Sequence, residues 1–122
     1  KIHPEGSFFQ PTILIHVCKG MPAYEQELFG PVASIIEAKD EAEAVVIANS
    51  SKFGLGASIW TKDITKGVAL ARKIESGAVF VNGLVKSDPR LPFCGIKKSG
   101  YGRELSCQGI REFSNQKTIW VK

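Results

Sequence analysis

Two rhythms of apolar and polar positions run along this chain, and the changes between them mark its expected elements. Residues 8–9 and 12–17 read as extended segments on either side of Pro11. Pro22 suits the first position of a helical turn, expected to run to Glu27. Residues 32–38, VASIIEA, form a mostly apolar run whose length suits a buried strand. The period then lengthens. Asp40 is a candidate helix cap, with Glu43 three residues on completing a capping-box pair. A helix over 41–49 follows, with Ala44, Val45 and Ala48 on one face and Gly54 as a stop signal beyond it. Residues 55–61 return to strand character. Asp63 caps a further helix, with Ile64, Val68, Ala71 and Ile74 near helical spacing and Gly77 ending it. Residues 78–82, AVFVN, read as another buried strand. This β-α-β-α-β order with short connections predicts parallel strands with covering helices, an α/β architecture.

From residue 83 to 102 neither period holds, yet Leu91, Pro92, Phe93 and Ile96 argue against disorder. An ordered irregular segment of that length is usually functional. A helix is expected over 103–113. The chain then closes on KTIWVK, whose Thr118, Ile119, Trp120 and Val121 have high β-propensity. Left alone they would make an exposed apolar edge, so the strand is expected to pair with another sheet edge or another chain.

Composition narrows the class. A length of 122 residues, 43% hydrophobic and 23% charged, fits one globular domain able to bury a core. No apolar run approaches the roughly 20 residues that span a bilayer, so no membrane helix is expected. The chain opens on KIHPEG, with neither Met nor a leader, and is expected to belong to something longer. Charge is uneven: residues 1–61 carry four Lys/Arg against seven Asp/Glu, and residues 62–122 carry twelve against five. The basic residues are scattered and not interleaved with stacking aromatics, so a solvated surface is favoured and a nucleic-acid partner is not expected.

Candidate chemistry is sparse. Cys18, Cys94 and Cys107 are odd in number and widely spaced, which disfavours a disulfide framework or a zinc site and favours a reducing, cytoplasmic setting. His3 and His16 have no partner at metal-ligand spacing, and no metal is expected. Neither a phosphate loop, a complete dinucleotide fingerprint nor a nucleophile elbow is present. Cys94 is the most notable thiol, since neighbouring lysines could favour a thiolate, but no base is identifiable beside it.

Three stretches in order change this picture: YEQELFGPV at 24–32, SGAVFVNG at 76–83 and LPFCGIKKSGYGRE at 91–104. Together they resemble the C-terminal part of the aldehyde dehydrogenase superfamily. Its Glu-x-Phe-Gly-Pro motif falls on Glu27, Phe29, Gly30 and Pro31, and its Val-Asn strand end on Val81-Asn82. Its Pro-Phe-Gly-Gly-x-Lys-x-Ser-Gly-x-Gly-Arg-Glu segment falls on Pro92 to Glu104, with Cys94 where the family usually has Gly. GSFFQPTIL and NSSKFGLGASIWT are similar to it too, and GLVKSDPRLPF most resembles the succinate-semialdehyde dehydrogenase branch.

The resemblance implies the last part of a Rossmann-like catalytic domain over 1–115 and an oligomerisation strand over 116–122. It implies NAD or NADP as cofactor, with Glu27 accepting hydrogen bonds from the nicotinamide ribose hydroxyls and Phe29 against the nicotinamide. It implies a small aldehyde substrate, with Phe93 lining its pocket. Ser87 is the candidate for a substrate carboxylate, and Arg90 a weaker one. It implies a homo-oligomer through Thr118, Ile119, Trp120 and Val121. In such enzymes a thiolate adds to the aldehyde, hydride passes to nicotinamide and water hydrolyses the thioester. The family's nucleophile, general base and oxyanion-hole Asn are not matched here, so no catalytic residue is assigned to this chain, which is expected to be inactive alone. A Glu27 that caps a helix end is the alternative for that residue. For the whole chain the alternative is a non-catalytic binding or assembly module using its terminal strand for β-augmentation.

Overall fold

The computed structural model describes residues 5–122, so His3 lies outside the described residues. Two compact units divide the chain between Ile47 and Ala48. In the first, β1 (Thr12–Leu14) and β2 (Val32–Ser34) pair in parallel, Thr12 opposite Val32 and Leu14 opposite Ser34. Their crossover carries the single helical turn α1 (Pro22–Glu25), where Pro22 occupies the expected opening position. The boundary between the units falls within α2 (Glu41–Asn49). Asp40 starts this helix: its Oδ1 accepts from Glu43 N–H at 2.8 Å and its carbonyl from Ala44 N–H at 3.0 Å. The Glu43 carboxylate reaches back one residue further than a capping box requires and accepts from Lys39 N–H at 2.7 Å.

The second unit is built on a β-α-β crossover. β4 (Gly56–Ile59) and β5 (Ala78–Val81) pair in parallel, Gly56 opposite Ala78 and Ile59 opposite Val81, with α3 (Ile64–Ala71) between them in sequence. Asp63 caps α3 by accepting from Lys66 N–H at 2.9 Å. Asn82 closes the strand ends. It adopts a left-handed backbone (φ 53°), donates its N–H to Ile59 O at 2.7 Å, and exchanges both side-chain bonds with the Thr61 backbone at 2.8 Å. Asn tolerates this conformation better than most side chains.

An antiparallel pair that periodicity does not signal lies beside this crossover. β3 (Phe53–Gly54) pairs with β6 (Ile96–Lys97), Phe53 opposite Lys97, inside the stretch expected to be irregular. This pairing explains two glycines that sequence reads as helix stops. A Cβ at Gly54 would meet Ile96 Cγ1 at 2.8 Å, and one at Gly77 would fall on the carbonyl of Cys94. Both positions need glycine for close backbone approach rather than for ending a helix. α3 in fact ends at Ala71, five residues before Ser76-Gly77. The strands among the described residues therefore form two-stranded pieces, parallel for β1-β2 and β4-β5 and antiparallel for β3-β6, rather than one continuous parallel sheet.

α4 (Ser106–Glu112) starts later than residue 103, because the chain turns sharply before it. Leu105 has φ 63° and ψ 172°, and Ser106 φ 54°. Residues 118–121 form no strand within the chain, and every residue from 111 to 122 is exposed. No partner edge for them exists among the described residues.

Burial departs furthest from expectation. Val17 is the only buried hydrophobic residue among those described, and the accessible surface is 10024 Å². A self-sufficient folded monomer of 13.3 kDa would expose roughly 6,500 Å². The expected buried strands are not buried: Ala33 and Ser34 are exposed, and β5 is only half-covered along its length. In α2 Val45 is half-buried while Ala44 and Ala48 are exposed, and in α3 Ile64 and Val68 face outward while Gly67 packs against Val81. Local caps and crossovers are in place; the described residues do not cover their apolar faces.

Candidate functional site

The first cluster of candidate residues lies between α1 and β2. α1 closes when Gln26 N–H donates to Pro22 O at 2.9 Å, so Glu27 is not needed to finish the helix. Among the described residues the Glu27 carboxylate has no hydrogen-bond or ion-pair partner, which leaves its helix-capping role without support. Phe29 is 93% exposed. Pro31 then tightens the entry to β2: Val32 N–H donates to Gly30 O at 2.8 Å, and Pro31 O accepts from Thr12 N–H at 2.9 Å. The result is an irregular segment, tied by backbone bonds only at Gly30 and Pro31, that presents a bare carboxylate and a bare aromatic ring two residues apart. Such a pair suits a ligand that combines hydroxyl donors with a flat ring.

The second cluster lies in the other unit, on the loop between β5 and α4. Ser87 is exposed and precedes a short turn in which Leu91 N–H donates to Asp88 O at 2.9 Å. Arg90 forms a two-pronged pair with Asp88, Nε to Oδ1 at 2.9 Å and Nη2 to Oδ2 at 2.6 Å. These bonds and the Arg90 N–H, also on Oδ1 at 2.9 Å, hold the Asp88 carboxyl at about 2, well below its ordinary value, and raise Arg90. Two of the Arg90 donors are thereby committed to Asp88, and the guanidinium remains largely exposed with its other donors available. Ser106 N–H, at the start of α4, holds this turn through Pro89 O at 3.0 Å.

Phe93 is half-buried, and its backbone exchanges two hydrogen bonds of 2.9 Å with Glu104. The segment from Cys94 to Arg103 is thus tied off at its neck. Ser99 Oγ accepts from Gly54 N–H at 3.0 Å, and Lys98 N–H donates to Lys52 O at 3.0 Å. Arg103 Nη1 donates to Gly102 O at 2.6 Å and to Gly95 O at 3.4 Å. The Cys94 thiol points to Tyr101 O at 3.5 Å. Of its two neighbouring lysines, Lys97 is committed elsewhere, to Asn49 O, Ser51 O and Glu75, so the structure gives no support to an activated Cys94 thiolate. All three cysteines are free, and no group of three or more His, Cys, Asp or Glu among the described residues is placed to hold a metal. No helix among the described residues is long and apolar enough to cross a membrane. His16 is exposed and lies 3.8 Å from Glu37.

Sequence reasoning thus found both turns but missed the partners that fix the second. Asp88 carried a local signal, an Asp-Pro-Arg turn sequence. Lys97 carried none, because its partners are more than 20 residues away.

Residues 1–119 match the Aldehyde dehydrogenase family. The chain belongs to that family. It is 51% identical over 116 residues to succinate-semialdehyde dehydrogenase [NADP(+)] 1 of Mycobacterium tuberculosis, covering 95% of this chain and 25% of that protein. The crystal structure of succinic semialdehyde dehydrogenase from Streptococcus pyogenes with NADP+ superposes with a TM-score of 0.89 at 46% identity, covering 93% of this chain and 25% of that one. That of an aldehyde dehydrogenase of M. tuberculosis complexed with NAD+ gives 0.89 at 39% identity, over 94% of this chain and 24% of the other. This aldehyde dehydrogenase chain therefore spans about a quarter of the length of the relatives it matches.

Proposed function

We propose that this chain is part of an NAD(P)-dependent aldehyde dehydrogenase that oxidises a small aldehyde carrying a second carboxylate, of the succinate-semialdehyde kind. The observation that carries the reading is the segment at 27–31, where a carboxylate unpartnered among the described residues and a 93% exposed ring stand just ahead of the tied Gly30-Pro31 entry to β2. A nicotinamide nucleotide accepts hydride from the substrate when bound. Glu27 would take the hydroxyl donors of its ribose, charge-assisted bonds worth about 1.5–3 kcal/mol each, and Phe29 would bound the ring. Holding the ring at near-attack distance is a positioning task, and two side chains close together ahead of a tied strand entry suit it. The named relatives, NADP(+)-dependent in one case and solved with NADP+ in another, support this cofactor class.

In the second unit, Phe93 would face the aldehyde and Ser87 would donate to the distal carboxylate, with Arg90 kept beside it by Asp88. The terminal residues 118–121 would pair with a second subunit, which would give their exposed apolar side chains a cover. The 122-residue chain lacks a residue matching the family's nucleophilic Cys and would not turn over alone. The test is reduction of NAD+ and NADP+ with succinic semialdehyde, by the full-length enzyme and by the 122-residue chain. Activity of the former and silence of the latter are expected; an inactive full-length enzyme, or an active isolated chain, refutes the reading. Removing residues 117–122 from the full-length enzyme should lower its mass in solution, and an unchanged assembly would exclude the strand as a subunit contact.

A further inference from the structure

The Lys97 side chain is 24% exposed, and its ammonium gathers three partners that lie far from it in sequence. It donates to Asn49 O, the last residue of α2, at 2.8 Å and to Ser51 O at 3.1 Å, and it pairs with Glu75 Oε2 at 2.9 Å. α2 has no basic residue in its own last turn. Lys97 therefore supplies, from elsewhere in the sequence, the positive charge that the carboxyl end of a helix favours. Asn49 reinforces the same junction, its Nδ2 donating to Lys73 O at 2.7 Å and its Oδ1 accepting from Glu75 N–H at 2.8 Å. The Lys97 backbone is left-handed, φ 55°, a conformation side chains other than Gly, Asn and Asp seldom take unless their surroundings impose it.

Phe93 lies four residues upstream on the same segment. Two of the attachments that hold it flank it, the exchange with Glu104 at the neck and the short β3-β6 pairing that begins at Ile96. A ladder of two residues is weak by itself. Lys97 is the charged fastener of that ladder, and charge-assisted bonds are about twice as strong as neutral ones.

We propose that Lys97 is a positioning residue for aldehyde binding, acting through β6 on Phe93. The proposal rests on the reading that Phe93 lines the aldehyde pocket. Losing the ammonium leaves two carbonyls and Glu75 without their donor, lets β6 shift on β3, and loosens the segment carrying the ring. The partners of Lys97 all belong to the second unit, whereas Glu27 and Phe29 belong to the first, so the effect should fall on aldehyde rather than cofactor.

The experiment is steady-state kinetics of the full-length enzyme carrying Lys97→Met, Lys97→Arg or Glu75→Gln, with the aldehyde that the unmodified enzyme uses best. Expected are an aldehyde KM about tenfold higher for Lys97→Met, kcat within about twofold, an unchanged cofactor KM, and recovery of most of the loss in Lys97→Arg. Glu75→Gln keeps both carbonyl contacts and should raise the aldehyde KM about two- to threefold. If Lys97→Met does not fold, Glu75→Gln decides. An unchanged aldehyde KM in Lys97→Met, or in Glu75→Gln where the Met variant does not fold, or aldehyde and cofactor KM rising together, overturns the proposal. Failure of the unmodified enzyme to oxidise succinic semialdehyde bears instead on the substrate reading, since the KM comparison can be made with any aldehyde it turns over.

Discussion

The turn at 27–31 and the segment at 91–104 are both stretches of motif, yet they are held in opposite ways. In the first, only Gly30 and Pro31 are tied by backbone bonds and the notable side chains are bare: Glu27 has no partner among the described residues, and Phe29 is exposed. In the second, nearly every motif residue is engaged. Phe93 and Glu104 exchange backbone bonds, Lys97 fastens three carbonyl or carboxylate groups, Ser99 receives Gly54 N–H, and Arg103 reaches two carbonyls. A motif can thus mark a surface kept open for a ligand or a clamp that keeps a loop in place. Counting the bonds each residue already makes separates the two.

The sharpest test of the clamp side is Gly77→Ala. Its Cβ would fall on the Cys94 carbonyl, backbone against backbone, with Gly77 N–H already committed to Gly54 O at 2.9 Å. A loss of roughly 4 kcal/mol or more is expected, or failure to fold; equilibrium unfolding of the full-length enzyme in urea reads it. A variant as stable as the original would mean that the 91–104 segment is not pinned where the structure puts it.

Glu27→Gln tests the open side. With no partner to lose among the described residues, the unfolding midpoint should stay put, while hydride transfer in single turnover slows by about tenfold, the equivalent of ~1.4 kcal/mol. A lowered midpoint with unchanged chemistry would make Glu27 a structural residue and erase the contrast.

Ser87→Ala comes next. It is an exposed residue outside the clamp, and it should weaken kcat/KM for an ω-carboxylate aldehyde by ~1–3 kcal/mol relative to an uncharged aldehyde of similar length. Equal losses on both substrates would reduce it to a loop residue.

The smallest effect belongs to Asp88. Its carboxyl is lowered from 3.8 to about 2, so the Arg90 pair adds stability above pH ~4, and that contribution is lost as pH falls through about 2. Asp88→Asn should therefore lower the unfolding midpoint slightly near neutrality and flatten the acid limb between pH ~4 and about 2 by the same small amount. An unaltered acid limb would show that the pair does not persist in solution.

What was legible in the sequence was local. Asp40 and Asp63 cap the helices they precede because a cap and its target lie three residues apart. The β4-α3-β5 crossover followed from the change of period. What was not legible depends on residues far off in the chain. Phe53 and Lys97 are opposite each other across 44 positions, so β3 and β6 carried no periodic signal, and Gly54 and Gly77 passed for helix stops. Burial was misjudged because an apolar run states that a face is to be covered, not by what. The candidate roles of Glu27 and Ser87 came through the resemblance of whole motifs; charge and hydrophobic period alone assign neither.

The excess surface of this chain also has a calorimetric meaning. Some 3,500 Å² more than a self-sufficient monomer would show is left in water, with Trp60 66% and Trp120 85% exposed. Withdrawing it from water under a cover should lower the heat capacity by an amount on the order of 0.5 kcal/mol/K from this side alone. The enthalpy of covering should therefore grow steadily more favourable on warming, and the stabilisation it gives should weaken in the cold.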